Sequence, residues 1–118
     1  MNYETLLVDK DKRGVVSLTL NRPEKRNALS AKMIDELTNF AASLTSDIRV
    51  TVIQGAGNLF CAGGDLEWMH AQINADRSTR IVQARKLAFM LKALNELPVP
   101  LIAKVHGAAY GGGVGLAC

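Results

Sequence analysis

The stretch from Val15 to Gln54 constrains the fold more than any other part of the chain. Val15 to Leu20 is a β-rich run. Met33, Ile34, Leu37, Phe40, Ala41 and Leu44 then recur at three- and four-residue intervals. That spacing draws one apolar stripe along a helix of about fourteen residues, for which Ser30 is a good N-cap. Val50-Thr-Val-Ile-Gln54 follows, β-branched and bounded by Asp47 and by Gly55-Ala-Gly57, and reads as a buried strand. Strand, helix, strand in that order implies a right-handed parallel crossover, with the stripe facing the sheet.

The flanking segments extend the same pattern. Thr5 to Val8 pairs with Val15 to Leu20 as a hairpin across the polar loop Asp9 to Gly14. Pro23 forbids a continuing central strand, so Glu24 to Leu29 is an ordered loop leading to Ser30. Asp65 is placed to cap a short helix. Ser78 to Leu97 predicts a longer helix with Ile81, Ala84, Ala88, Leu91 and Leu94 or Leu97 on its inward face, ended by Pro98 and Pro100. Leu101 to Val105 predicts another strand, and the triple glycine Gly111 to Gly113 opens a final helix. The expected fold class is α/β, a parallel-rich sheet covered by helices, with residues 1–118 forming part of a single domain.

At 118 residues, 48% apolar and 21% charged, the chain has globular proportions. Its last segment, Leu101 to Cys118, carries a single charge and no helix-ending signal, and reads as an interior segment cut short. Two cysteines make no disulfide framework, and neither Cys61 nor Cys118 has His or Cys neighbours at ligand spacing, so no metal site is expected. With no signal-like start and no apolar run long enough to span a bilayer, the expected location is the cytoplasm. The net charge of +3 is spread along the chain, with a cluster at Lys25-Arg26 and a looser one at Arg77, Arg80, Arg85 and Lys86. Six aromatic residues and no basic stripe argue against nucleic acid as a partner.

Two glycine-bearing loops stand at strand exits: Cys61-Ala-Gly-Gly-Asp65 and Gly107-Ala-Ala-Tyr-Gly-Gly-Gly113. Without a Cβ, such backbone admits a ligand closely and leaves N–H groups free to point at an anion or a polarised carbonyl. The nucleotide-binding alternatives fail on spacing. From Gly111 the dinucleotide register places Leu at 116, and no Lys follows a glycine pair as a phosphate loop requires. One such loop alone reads as a tight turn or a packing contact; two in matching positions point to a site.

Leu20-Asn-Arg-Pro-Glu-Lys-Arg-Asn-Ala-Leu29, Phe60-Cys-Ala-Gly-Gly-Asp-Leu66 and Val105-His-Gly-Ala-Ala-Tyr-Gly-Gly-Gly-Val-Gly-Leu-Ala-Cys118 resemble, in order and spacing, the crotonase superfamily of enoyl-CoA hydratases and isomerases. The resemblance covers essentially the whole chain and implies its identity as the N-terminal half of a member. It implies repeated ββα units, assembly as trimers or hexamers, and an acyl-CoA substrate, with coenzyme A entering as part of that substrate and no separate cofactor. The backbone N–H groups of Gly64 and Gly112 would form an oxyanion hole that polarises the thioester carbonyl and stabilises an enolate. Lys25, Arg26, Ala28, Ala62, Asp65 and Leu66 would line the CoA groove. Cations near CoA phosphates aid capture, although Lys25 and Arg26 also read as solvated loop charges.

Hydratases of this family commonly use two glutamates, the first two residues after the triple glycine. Here that position is Gly115, and the second would fall beyond Cys118, so no general base is identifiable. The Gly-Gly-Gly-Val-Gly-Leu form resembles the methylglutaconyl-CoA hydratase branch, some of whose members bind RNA. Three readings follow: an enoyl-CoA hydratase; a catalytically incomplete piece or CoA-binding module; an RNA-binding relative using the Ser30 helix. His70 and His106 read as surface or packing residues, Cys61 as a buried filler, and Trp68 and Met69 as core, the alternative for the last two being to cap an acyl or adenine pocket.

Overall fold

The computed structural model describes residues 3–118. Its elements are β1 (Leu6–Lys10), β2 (Val15–Leu20), a 3-10 turn (Pro23–Lys25), α1 (Ala31–Ala42), β3 (Val50–Gly55), α2 (Leu66–Asn74), α3 (Arg77–Asn95), β4 (Leu101–Ala103) and α4 (Gly112–Ala117). The sheet order is β1-β2-β3-β4. β1 and β2 form the antiparallel hairpin, and β2 to β3 and β3 to β4 are parallel, as the crossover requires.

Alternation along β2 sends Val16, Leu18 and Leu20 into the core. They meet Met33, Ile34, Leu37 and Phe40 from α1, the stripe expected of that helix, in one cluster with Phe60 and Met90. Ser30 caps α1 by accepting the Met33 N–H at 3.2 Å. β3 departs from expectation. Only Thr51 and Ile53 are fully buried, while Val50, Val52 and Gln54 are half-buried, and Gln54 donates to the Thr19 hydroxyl on the outer sheet face at 3.1 Å. The strand is therefore one-sided, with period-two burial in place of burial on both faces.

The third helix begins one residue earlier than its periodicity predicts, because Asp76 caps it through the Thr79 N–H at 2.7 Å. Its inward face is also different. Leu87, Met90, Leu91 and Leu94 pack inward, whereas Ile81, Ala84 and Ala88 face solvent, since α1 and α2 meet only part of the helix. β4 stops at Ala103, two residues short, although the Lys104 N–H still reaches the Ile53 carbonyl at 2.8 Å before the chain turns at Gly107.

One anchor was invisible in the pattern. Glu36 lies on the buried side of α1 and accepts the N–H groups of Glu4 and Thr5, at 2.8 Å each, and the Thr5 hydroxyl. Burial pushes its carboxyl upward, but these donors outweigh it and hold the group below its ordinary value.

Candidate active site

The loop after β2 is shaped by two consecutive left-handed residues, Arg26 (φ 54°) and Asn27 (φ 56°). Such backbone is costly outside glycine, and Asn tolerates it best. Here it is held from several sides. The N–H of Arg26 donates to the Pro23 carbonyl at 3.1 Å and that of Asn27 to the Arg22 carbonyl at 2.9 Å. The fully buried Asn27 amide donates to the carbonyls of Ala56, Leu59 and Phe60 at 2.8 to 3.1 Å and accepts the Arg22 N–H at 2.9 Å. The side chain thus ties the 22–29 loop to the 56–60 segment. Nothing in local periodicity signals this role.

Two isolated parallel bridges join the three loops: Leu29 with Gly64, and Cys61 with Ala109. In the first, the Leu29 N–H donates to the Gly63 carbonyl at 2.7 Å and the Asp65 N–H to the Leu29 carbonyl at 2.9 Å. Successive peptide groups of extended chain point to opposite sides, so the Gly64 N–H is turned away from Leu29. It has no acceptor among the described residues. In the second bridge the Tyr110 N–H donates to the Cys61 carbonyl at 3.0 Å. This lays the triple glycine against the 61–65 loop so closely that a Cβ on Gly113 would stand 2.6 Å from the Cys61 oxygen, which accounts for glycine there. Gly112 is the first residue of α4, where the helix offers its N–H no partner, and it too has none among the described residues.

Beside these loops lies an open groove of ≈ 590 Å³ lined by Glu24, Lys25, Arg26, Ala28, Ala62, Gly63, Gly64, Asp65, Leu66, Glu67, Met69 and Gly111. All the residues expected to line a ligand groove, from Lys25 to Leu66, are gathered in it, and Gly112 adjoins its wall through Gly111. Leu66 and Met69 expose apolar surface there, so Met69 belongs to the groove and only Trp68 packs on the core. Asp65 caps α2 through the Trp68 N–H at 3.0 Å and pairs with Arg22 at 3.1 Å. Burial raises its carboxyl, and the Trp68 N–H and the Arg22 guanidinium overcome that and hold it below the ordinary range. Arg22, which the sequence marks only as a member of the first motif, also donates to the Ala28 carbonyl at 2.7 Å.

The remaining candidates fall away from the groove. Cys61 is fully buried; burial pushes its thiol up, against a weaker opposing bond from the Gly63 N–H, as suits a filler. His70 contacts Asn74 and His106 the Gly57 carbonyl, both on the surface. Among the described residues no three His, Cys, Asp or Glu side chains group as metal ligands, and no helix is long and apolar enough to cross a membrane.

Comparison with known proteins decides the family. Residues 10–118 match the family model described as enoyl-CoA hydratase/isomerase. The chain belongs to that family. It is 40% identical over 121 residues to a probable enoyl-CoA hydratase of Mycobacterium tuberculosis, covering 99% of this chain and 44% of that protein. It is 34% identical over 125 residues to the mitochondrial Delta(3,5)-Delta(2,4)-dienoyl-CoA isomerase of Mus musculus, covering 98% of this chain and 38% of that one. The crystal structure of an enoyl-CoA hydratase from Shewanella pealeana superposes with a TM-score of 0.93 at 31% identity, over 98% of this chain and 44% of that chain. The crotonase fold expected from the three motifs is therefore established, and the chain spans less than half the length of these relatives. Within this family fold and among the described residues, the first unit is a plain ββα, and after β3 the chain makes the isolated bridges at Cys61 and Gly64 before its helices.

Proposed function

We propose that this chain carries the carbonyl-binding half of an acyl-CoA site, in an enzyme that hydrates an enoyl-CoA thioester. The observation behind this reading is the pair of backbone donors at Gly64 and Gly112, left without acceptors among the described residues on two loops that a bridge holds together. A thioester oxygen accepting both would be polarised, and the enolate formed in the transition state would be stabilised more than the ground state. Lys25 and Arg26, on the groove rim, offer cations to the CoA phosphates. Ala28 and Ala62 are small enough to admit the ligand against the backbone, and Leu66 supplies apolar contact. In this reading coenzyme A enters as part of the substrate and no separate cofactor takes part.

A second reading, binding without turnover, is favoured by one specific observation. Gly115 brings no carboxylate to α4, and of the groove carboxylates Asp65 is already engaged by Arg22 and the α2 cap. Calorimetric titration with crotonyl-CoA, together with the loss of enoyl-thioester absorbance over time, separates the two. Binding with turnover supports hydration; binding alone supports the module; no binding of either crotonyl-CoA or CoA removes both.

At residue level, Gly112→Pro deletes one donor at a first helical position, which proline tolerates. Turnover should fall about 10²-fold or more. Gly112→Ala is the matched control, because it keeps the N–H while its Cβ meets the same neighbour, the Leu29 Cδ1 at 2.8 Å. Equal losses in the two variants would show that crowding, and not the donor, matters.

A further inference from the structure

The groove has walls from two different loops, and a single side chain fastens both. Arg22 donates through Nη1 to the Ala28 carbonyl at 2.7 Å and through Nη2 to the Asp65 carboxylate at 3.1 Å. Both members of the ion pair are largely buried, with side chains 17% and 8% exposed. Asp65 directly follows Gly64, and its other oxygen holds the N-terminus of α2. Ala28 directly precedes Leu29, whose N–H and carbonyl clasp Gly64 from either side. The planar guanidinium therefore spans the two segments whose separation sets where the Gly64 N–H points. Lysine, a single point charge, cannot hold both partners in a fixed fork.

We propose that Arg22 is a positioning residue that aims the Gly64 N–H at the substrate carbonyl by clamping Ala28 to Asp65. The role rests on the oxyanion-hole reading above. It predicts a specificity of effect: loss of the clamp loosens the carbonyl contact while leaving the cationic rim that faces the rest of CoA. A misplacement on the order of 1 Å at such a site costs up to about 10²-fold in rate.

The test is the carbonyl stretching frequency of crotonyl-CoA, ¹³C-labelled at the thioester carbon, bound to the chain, set beside the affinity for CoA itself. In the unsubstituted chain the bound carbonyl should shift to lower frequency than in solution. Arg22→Gln should abolish most of that shift while CoA affinity changes less than about threefold, and where turnover is measurable kcat should fall about tenfold or more with little change in KM. Arg22→Lys should recover part of the shift. Asp65→Asn retains a good helix cap, so it breaks the pair without removing α2's N-terminal bond. It should resemble Arg22→Gln, and the double variant should be no worse than either alone. An unaltered shift in Arg22→Gln would overturn the proposal. So would a parallel loss of CoA affinity and carbonyl shift, which marks general damage to the fold. If the unsubstituted chain binds crotonyl-CoA with no shift at all, the oxyanion-hole reading fails first and takes the clamp with it.

Discussion

The groove and the β4 edge both expose apolar side chains, yet they are built differently. At the groove, Leu66 and Met69 sit in a frame where Asn27, Arg22 and Asp65 tie the neighbouring loops together through side-chain hydrogen bonds. At the edge, Ile102 is 54% exposed on a three-residue strand paired, among the described residues, to β3 alone, and Val105 just beyond its end is exposed too. Apolar surface on a cross-linked frame keeps its shape and suits a ligand. Apolar surface on a short, half-paired strand offers open backbone to another strand or chain.

The contrast can be broken most severely at Asn27. Asn27→Ala strips one acceptor and the donors to three buried carbonyls, and should cost about 3 kcal/mol of stability, read as a lower urea midpoint. Gly113→Ala should come next, at about 2 kcal/mol, because its Cβ overlaps Cys61 backbone that cannot retreat without opening the second bridge. Thermal unfolding of both variants checks the order.

The acid side sharpens the comparison further. Glu36 and Asp65 both have native carboxyls held below their ordinary values of 4.5 and 3.8. The unfolded chain then binds more protons in that window, so their contribution is present above it and is lost as pH falls through the native values. Glu36→Gln should lower stability at neutral pH, and its deficit against the unsubstituted chain should shrink as pH drops below 4.5 in urea titrations. A deficit independent of pH would assign the effect to packing. The smallest effect on stability, within about 0.5 kcal/mol, is expected for Ile102→Lys at the edge. Its readout is association: light scattering should show self-association of the original chain weakened by the charge.

Sequence reading and tertiary structure divided the work unevenly. The stripe of α1, the hairpin, the parallel crossover and the Ser30 and Asp65 caps were all legible, because each is a local pattern with a fixed period or offset. The face of α3 was not. Its apolar residues ring the helix, and which of them are buried depends on where α1 and α2 lie. Motif order singled out the residues from Lys25 to Leu66 that gather at the groove, since a bare spacing count does not separate a turn glycine from one that lines a groove.

Arg22, Asn27 and Glu36 escaped notice for a common reason. Each acts on partners far away in sequence, Arg22 on Asp65, Asn27 on Phe60 and Glu36 on Thr5. A polar residue in a loop or helix looks the same whether it faces water or a buried carbonyl. The order of strands and helices, the family motifs and the glycines at the strand exits are all written in local sequence. That the Gly64 and Gly112 N–H groups have no acceptor among the described residues follows from how the loops pack. The Leu29 bridge takes the Gly63 carbonyl and the Asp65 N–H on either side of Gly64 and turns the Gly64 N–H away, while Gly112 opens α4, where the helix offers its N–H no acceptor.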